Sequence, residues 1–278
     1  MSRISTHCEL RYTVHTPSAF FFIVLPARGA RQEVVEEKLT VHPEQQLRRE
    51  STGPGTHELV RVLAEPGPLL LRHDAIVAVN AYVPEKAPTT EVHFADLPVD
   101  VIPFLQPSRF CPSDLLTRTA VKAFGDLAPG FERITGICNW VYDRLDYVAG
   151  STGPSTTATD VLVQGAGVCR DYAHVGITLC RALGVPARYV SGYAVDLDPP
   201  DFHGFFEAYL DGDWYLFDAT RMAPVDGLVR IAVGRDAADV AFASFVGAAI
   251  LDEMVVSTID LDRTNPDDGT MTAAISTA

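Results

Sequence analysis

The sequence predicts an α+β protein: an N-terminal β-sandwich-like domain, then an α+β domain that holds the chemistry. Three observations predict this. Short alternating apolar runs, broken by turn residues, fill positions 1–97. Four prolines (Pro98, Pro103, Pro107 and Pro112) stiffen residues 98–114. Helical apolar spacing takes over beyond them.

The strands come first. Residues 8–15 alternate with period two and put Leu10, Tyr12 and Val14 on one face. Residues 20–25, 34–41, 57–63, 69–73 and 76–83 follow as further short strands, with Glu65-Pro66-Gly67-Pro68 as a turn. His57 and His73 read as strand-surface residues. The apolar run 19–27 is short and starts late, so it reads as a buried strand and not as an export signal. The proline-rich 98–114 segment is the connector, 115–262 the catalytic domain, and 263–278 a flexible tail.

Helices follow. Residues 112–127 and 130–145 have helical spacing, with Phe131, Ile134, Ile137, Cys138 and Val141 on one face of the second. Residues 159–163 suit a short helical turn. A central helix spans 168–183 and stops at Gly184, with Pro186 beyond. Residues 187–195 read as a strand. Residues 205–210 and 214–217 form a hairpin across Asp211-Gly212-Asp213. Helical and mixed structure is expected from there to about residue 259.

Composition excludes several function classes. The chain has 278 residues, is 47% hydrophobic and has net charge −14. Residues 1–100 hold 10 Lys/Arg against 13 Asp/Glu, and the rest 12 against 23. So acidic a second half repels nucleic acid and anionic membrane surfaces, and suits neutral or basic peptides. No run is long enough to span a membrane. Cys8, Cys111, Cys138, Cys169 and Cys180 are odd in number, with no C-x-x-C pair, which fits free thiols in a cytoplasmic protein. No metal-ligand spacing and no phosphate loop is present, so no metal or other cofactor is expected.

The chemistry concentrates around Gly167-Val168-Cys169-Arg170-Asp171-Tyr172-Ala173. Cys169 opens a helix, where the dipole favours a thiolate and the unsatisfied amide can hold an oxyanion. His203 arrives at the start of one strand and Asp218 at the end of the next. A Cys-His-Asp set of this kind serves as nucleophile, base and orienter. Rivals exist: His174 as base, although it lies about 140° round the helix from Cys169, and Glu207 as orienter. Gln164 is a candidate side-chain donor to the oxyanion. Cys8, Cys111, Cys138 and Cys180 read as core. Aromatic residues such as Trp140, Trp214, Tyr172 and Tyr189 suit either the core or the cleft wall.

Four blocks in order across 167–220 resemble the transglutaminase-like superfamily, a papain-like fold. They are the Gly167-Val168-Cys169 helix start; Gly184-Val185-Pro186-Ala187-Arg188-Tyr189-Val190-Ser191-Gly192-Tyr193; His203-Gly204-Phe205-Phe206-Glu207; and Trp214-Tyr215-Leu216-Phe217-Asp218-Ala219-Thr220. Phe205 stands where the family pattern commonly has Trp, and Ala219 where it commonly has Pro. Residues 1–97 resemble the β-rich region that accompanies the domain in bacterial members. The resemblance implies Cys169 as nucleophile, His203 as base and Asp218 as orienter. It implies a cysteine peptidase, amidase or acyltransferase acting on peptide or isopeptide amides through a thioester. The alternative is a non-catalytic peptide-binding module on the same scaffold. Residues 1–97 are expected to flank the cleft and restrict access without supplying catalytic groups.

Overall fold

A computed structural model describes residues 1–51, 57–263 and 274–278. Its first strands are β1 (Ser2–Val14), β2 (Ser18–Phe22), β3 (Gln32–His42), β4 (Arg48–Ser51), β5 (Glu58–Ala64) and β6 (Gly67–Val79). The period-two pattern buries Ile4, Cys8, Leu10, Tyr12 and Val14 along β1. Tyr12 meets Phe20 of β2 edge-on, with ring centroids 5.1 Å apart. Two antiparallel sheets therefore share one apolar core, as the sequence predicted.

Two details differ from the expectation. Residues 69–73 and 76–83 were expected as two strands, but β6 is continuous because β1 and β3 pair it on both sides. His73 and His57 are buried, not on the surface. The side chain of His73 faces Glu37, Nε2 to Oε1 3.4 Å.

The second half contains α1 (Ser113–Phe124), α2 (Phe131–Arg144), β7 (Asp146–Tyr147), α3 (Ala158–Gln164), β8 (Ala166–Gly167) and α4 (Cys169–Ala182). It continues with β9 (Ala187–Ala194), β10 (Phe202–Leu210), β11 (Asp213–Phe217), β12 (Leu228–Gly234), β13 (Ala243–Val246) and β14 (Ala249–Asp260). The central sheet has the order β11-β10-β9-β12, all antiparallel. Helix α4 packs against it so closely that a Cβ on Gly176 would lie 2.6 Å from the Phe206 ring. Buried Arg181 ties the far end of α4 down. Its guanidinium donates to the carbonyls of Gln106, Ala187 and Arg235. The connector packs through Val101, beside Leu97, against Tyr209 and Trp214.

The end of the chain corrects the expected domain boundary. Beyond β12 the chain forms strands, not helical and mixed structure, and returns to the first half. Strand β14 pairs with β1, and β13 with β2, giving the orders β14-β1-β6-β3 and β13-β2-β5-β4. The central-sheet segment thus ends near residue 240, and residues 243–260 pair with the sandwich sheets. The expected flexible tail, 263–278, is also corrected at its end. Residues 264–273 lie outside the described residues, while Ala274, Ile275, Ser276 and Thr277 are buried. Leu216 N–H donates to the Ile275 carbonyl at 2.8 Å.

The halves are stitched together by hydrogen bonds. Gln32 Nε2 donates to the carbonyls of Ala27 and Arg230, and its Oε1 accepts from Arg230 N–H. Tyr193 donates to the Val24 carbonyl at 2.7 Å. No helix among the described residues is long and apolar enough to cross a membrane.

A chain ending at residue 240 would strip β1 and β2 of their outer partners and expose their apolar core. Thermal unfolding followed by circular dichroism is expected to show a cooperative transition for the full chain. The shortened chain should show none, or one lowered by tens of degrees.

Candidate functional site

Cys169 is the first residue of α4. The parallel pair β7–β8 delivers it, since Tyr147 aligns with Gly167 and Val148 N–H donates to the Gly167 carbonyl. Asp171, fully buried, closes the turn by accepting the Val168 N–H at 2.9 Å. Arg170 and Thr152 hold that carboxylate in turn. The helix start is thereby fixed without a cap that covers the Cys169 amide.

His203 and Asp218 meet as the hairpin predicts. His203 Nε2 lies 2.9 Å from Asp218 Oδ2, and both residues are buried. The other carboxylate oxygen, Oδ1, accepts from the hydroxyl and the amide of Thr220, at 2.7 and 2.8 Å. The imidazole packs edge-on to Phe205, with centroids 4.4 Å apart. The second nitrogen, Nδ1, is buried and makes no hydrogen bond, yet Cys169 is near enough to act on the ring. Burial works against the imidazolium, but the Asp218 carboxylate and the Cys169 thiol outweigh it. Together they raise the pKa of His203 to about 10.

The other four cysteines are buried, and Cys169 alone is half-buried. Burial pushes Cys8 up to about 11 and Cys111 up to about 12, and raises Cys138 and Cys180 as well. They are inert core thiols, as their positions in the sequence suggest.

The rivals fall elsewhere. His174 is fully buried and stacks on Phe110, and its Nε2 accepts the Ala237 N–H at 3.1 Å. Burial lowers its pKa to about 3, so it is a neutral structural acceptor. Glu207 is taken by Arg188 and Arg230, not by His203. Gln164 corrects an expectation: it is exposed, its amide donates to the Ser151 carbonyl at 2.9 Å, and it does not line the cleft. It sits at the end of α3, which the left-handed Gly165 terminates before the chain turns into β8.

Two neighbours escaped the sequence reading. Thr220 lies in the quoted block, and its Asp-x-Thr spacing was a usable signal for a side-chain turn. Tyr147 had no such signal, because only the β7–β8 pairing brings it to Cys169. Burial and the Cys169 thiol push its phenol above the usual value.

Cys169 and His203 open onto a cleft of about 510 Å³. Its walls are largely apolar, with Phe110, Phe202, Val240 and Phe242 from the second half. Ile23 of the first half and Met254 of the returning strand complete them. Tyr189 also lines it, and its hydroxyl occupies the space where a Cβ on residue 204 would collide, so Gly204 is required there.

The family model of the transglutaminase-like superfamily matches residues 118–219, which contain Cys169, His203 and Asp218. A solved structure from Cytophaga hutchinsonii, described as "a Putative Cysteine Protease", is 41% identical. It covers 99% of this chain and 97% of its own, with a TM-score of 0.93. The chain belongs to the transglutaminase-like superfamily. An uncharacterized protein of Mycobacterium leprae is 31% identical over 49% of this chain, and the match spans only 52% of that relative's length. One of Mycobacterium tuberculosis is 30% identical, over 71% of this chain and 67% of its own. The superfamily fold and the β-rich N-terminal region are thus those the sequence predicted.

Alkylation with iodoacetamide at neutral pH, mapped by peptide mass spectrometry, is expected to modify Cys169 first. The other four cysteines should react only after unfolding. Equal labelling of Cys138 in the folded chain would contradict the burial described here.

Proposed function

We propose that this protein is a cysteine-nucleophile hydrolase or acyltransferase acting on peptide or isopeptide amides, with Cys169, His203 and Asp218 as its triad. The observation that carries the reading is His203, held by Asp218 on one nitrogen and adjoining the accessible Cys169 at the mouth of the cleft. The Cytophaga relative's description supports the same class.

The chemistry follows from the geometry. The Cys169 Sγ electron pair attacks the amide carbonyl, and the oxygen takes up the negative charge. We assign the stabilisation of that oxygen to the Cys169 amide at the helix start, with the Tyr147 hydroxyl, which adjoins Cys169, as a second donor. The intermediate collapses, the C–N bond breaks, and the His203 imidazolium gives its proton to the departing amine. Neutral His203 then takes a proton from water or a second amine, which attacks the thioester and frees Sγ. Water completes hydrolysis, and an amine completes acyl transfer. Asp218, fixed by Thr220, keeps the ring aligned and supports its charge. The apolar cleft suits an acyl chain with apolar side chains near the scissile bond. The acidic second half favours neutral or basic peptides. Its five free thiols favour a reducing cytoplasm in this reading.

The test is incubation with a peptide library and a primary amine, read by mass spectrometry for cleavage, deamidation and amine incorporation. Cys169→Ala and His203→Ala should each abolish turnover. Asp218→Asn should cost less than either. Tyr147→Phe should lower kcat by about 10²-fold with KM little changed, the usual effect of losing one oxyanion donor. His174→Ala should weaken folding yet spare the chemistry in the folded fraction. Stoichiometric binding of peptides with no product would favour the non-catalytic module instead.

The pH profile supplies a second check. The pKa of His203 is raised to about 10, so the imidazolium that protonates the leaving amine persists well above the ordinary histidine range. Activity is expected to hold on the alkaline side and to fall only as pH climbs through that value. In Asp218→Asn the carboxylate's support is lost, so the alkaline limb should move to lower pH. A limb near the ordinary value of ~6.5 in the unmodified protein would oppose this assignment.

A further inference from the structure

The largely apolar cleft contains a single carboxylate among its described lining residues. That residue is Asp201, while Arg109, Arg170 and His203 supply the basic groups. Asp201 immediately precedes β10, two positions before His203, and both residues line the same cleft. The Asp201 carboxylate feels the His203 imidazolium and acts in turn on the Tyr147 phenol. It therefore borders the groups that surround Cys169.

The bonds of Asp201 leave it without a cation. Its Oδ1 accepts the Phe202 N–H at 2.7 Å, and it makes no ion pair among the described residues. Both arginines of the cleft are engaged elsewhere. Arg170 donates to Thr152, Gly153 and Asp171. The Arg109 guanidinium lies over the Phe110 ring. Asp201 is exposed, so a ligand can reach it. The walls still withdraw some water from its carboxylate and raise its pKa modestly, against the pull of His203. A reachable, partly desolvated carboxylate with no partner gains most from a cation.

We propose that Asp201 sets specificity on the leaving side of the substrate, where it pairs with the Lys or Arg side chain of the residue that carries the departing nitrogen. This inference rests on the triad reading above. His203 gives its proton to that nitrogen, so the residue bearing it lies along the His203 side of the cleft. Asp201 stands about 7 Å from His203 along the chain, two residues at ~3.3 Å each. That is within the span of a long cationic side chain. The general preference of an acidic surface for basic peptides thereby gains a named residue at the reacting end of the cleft. A residue that only supported the charge of His203 would serve neutral and cationic substrates alike.

Two peptides that differ only by Lys or acetyl-lysine at the residue carrying the leaving nitrogen test this. The lysine form should have the higher kcat/KM, chiefly through a lower KM. In Asp201→Asn that advantage should shrink about fivefold, the scale of a part-exposed ion pair. A second measurement needs no turnover. Cys169 is modified with a cationic (ethylammonium) and an anionic (ethylsulfonate) methanethiosulfonate, each rate taken relative to free cysteine. Asp201→Asn should lower the cationic-to-anionic ratio by about fivefold, with the circular dichroism spectrum unchanged. No advantage for lysine, an equal loss with both peptides in Asp201→Asn, or an unmoved reagent ratio would each overturn the proposal. A chain that cleaves no peptide would fail the hydrolase reading instead, and the reagent ratio alone would then decide whether Asp201 holds a cation.

Discussion

The close seating of α4 on the central sheet is the constraint on which the site depends. A helix buried along most of its length has one place to go, and its first residue goes with it. Gly176 lets α4 approach Phe206, and Arg181 anchors the far end through three backbone carbonyls. At the near end, Asp171 fixes the turn that presents Cys169. A shift of α4 by a fraction of a turn would carry the thiol away from His203. The chemistry therefore rests on packing well removed from the thiol.

Two buried histidines show how strongly the surroundings decide charge. His174 sits among Phe110, Tyr189 and a backbone amide, and burial drives its pKa to about 3. His203 is buried as deeply, but an adjoining carboxylate raises its pKa to about 10. The difference is one well-placed Asp218, itself held by two hydrogen bonds from Thr220. Only the second histidine is suited to hold a proton at neutral pH and give it to a leaving group.

The return of the chain gives the first half its bearing on the site. Strands β13 and β14 complete the two sheets that β2 and β1 begin, and the same passage brings Met254 to the cleft that Phe110 also lines. Ile23, just past β2, forms another part of that wall. The sandwich thus contributes Ile23 and Met254 to the cleft wall, while Cys169, His203 and Asp218 all lie in the second half. The two halves fold as partners, because each finishes surfaces that the other leaves open.

Local order determined much of this protein in its sequence alone. The helix start at Cys169, the stop at Gly184, the Asp-Gly hairpin and the strand alternation of β1 are short-range patterns, and each is legible because its physics involves only neighbouring residues. The order of Cys169, His203 and Asp218 was legible for the same reason: each sits at the end of an element that can be recognised on its own. Long-range pairing was not legible. Nothing near Tyr147 tells that β7 will lie beside β8, and nothing near residue 249 tells that the chain will rejoin β1. A bulge at Asp252 breaks the alternation of β14, and its apolar residues fall on both faces, so the strand gave no clean period. Gln164 shows the converse, a residue close to Cys169 in sequence whose side chain is turned away to Ser151. Tertiary structure decided these points, because contacts between distant segments depend on how whole faces fit, and a sequence window contains only one of the two faces.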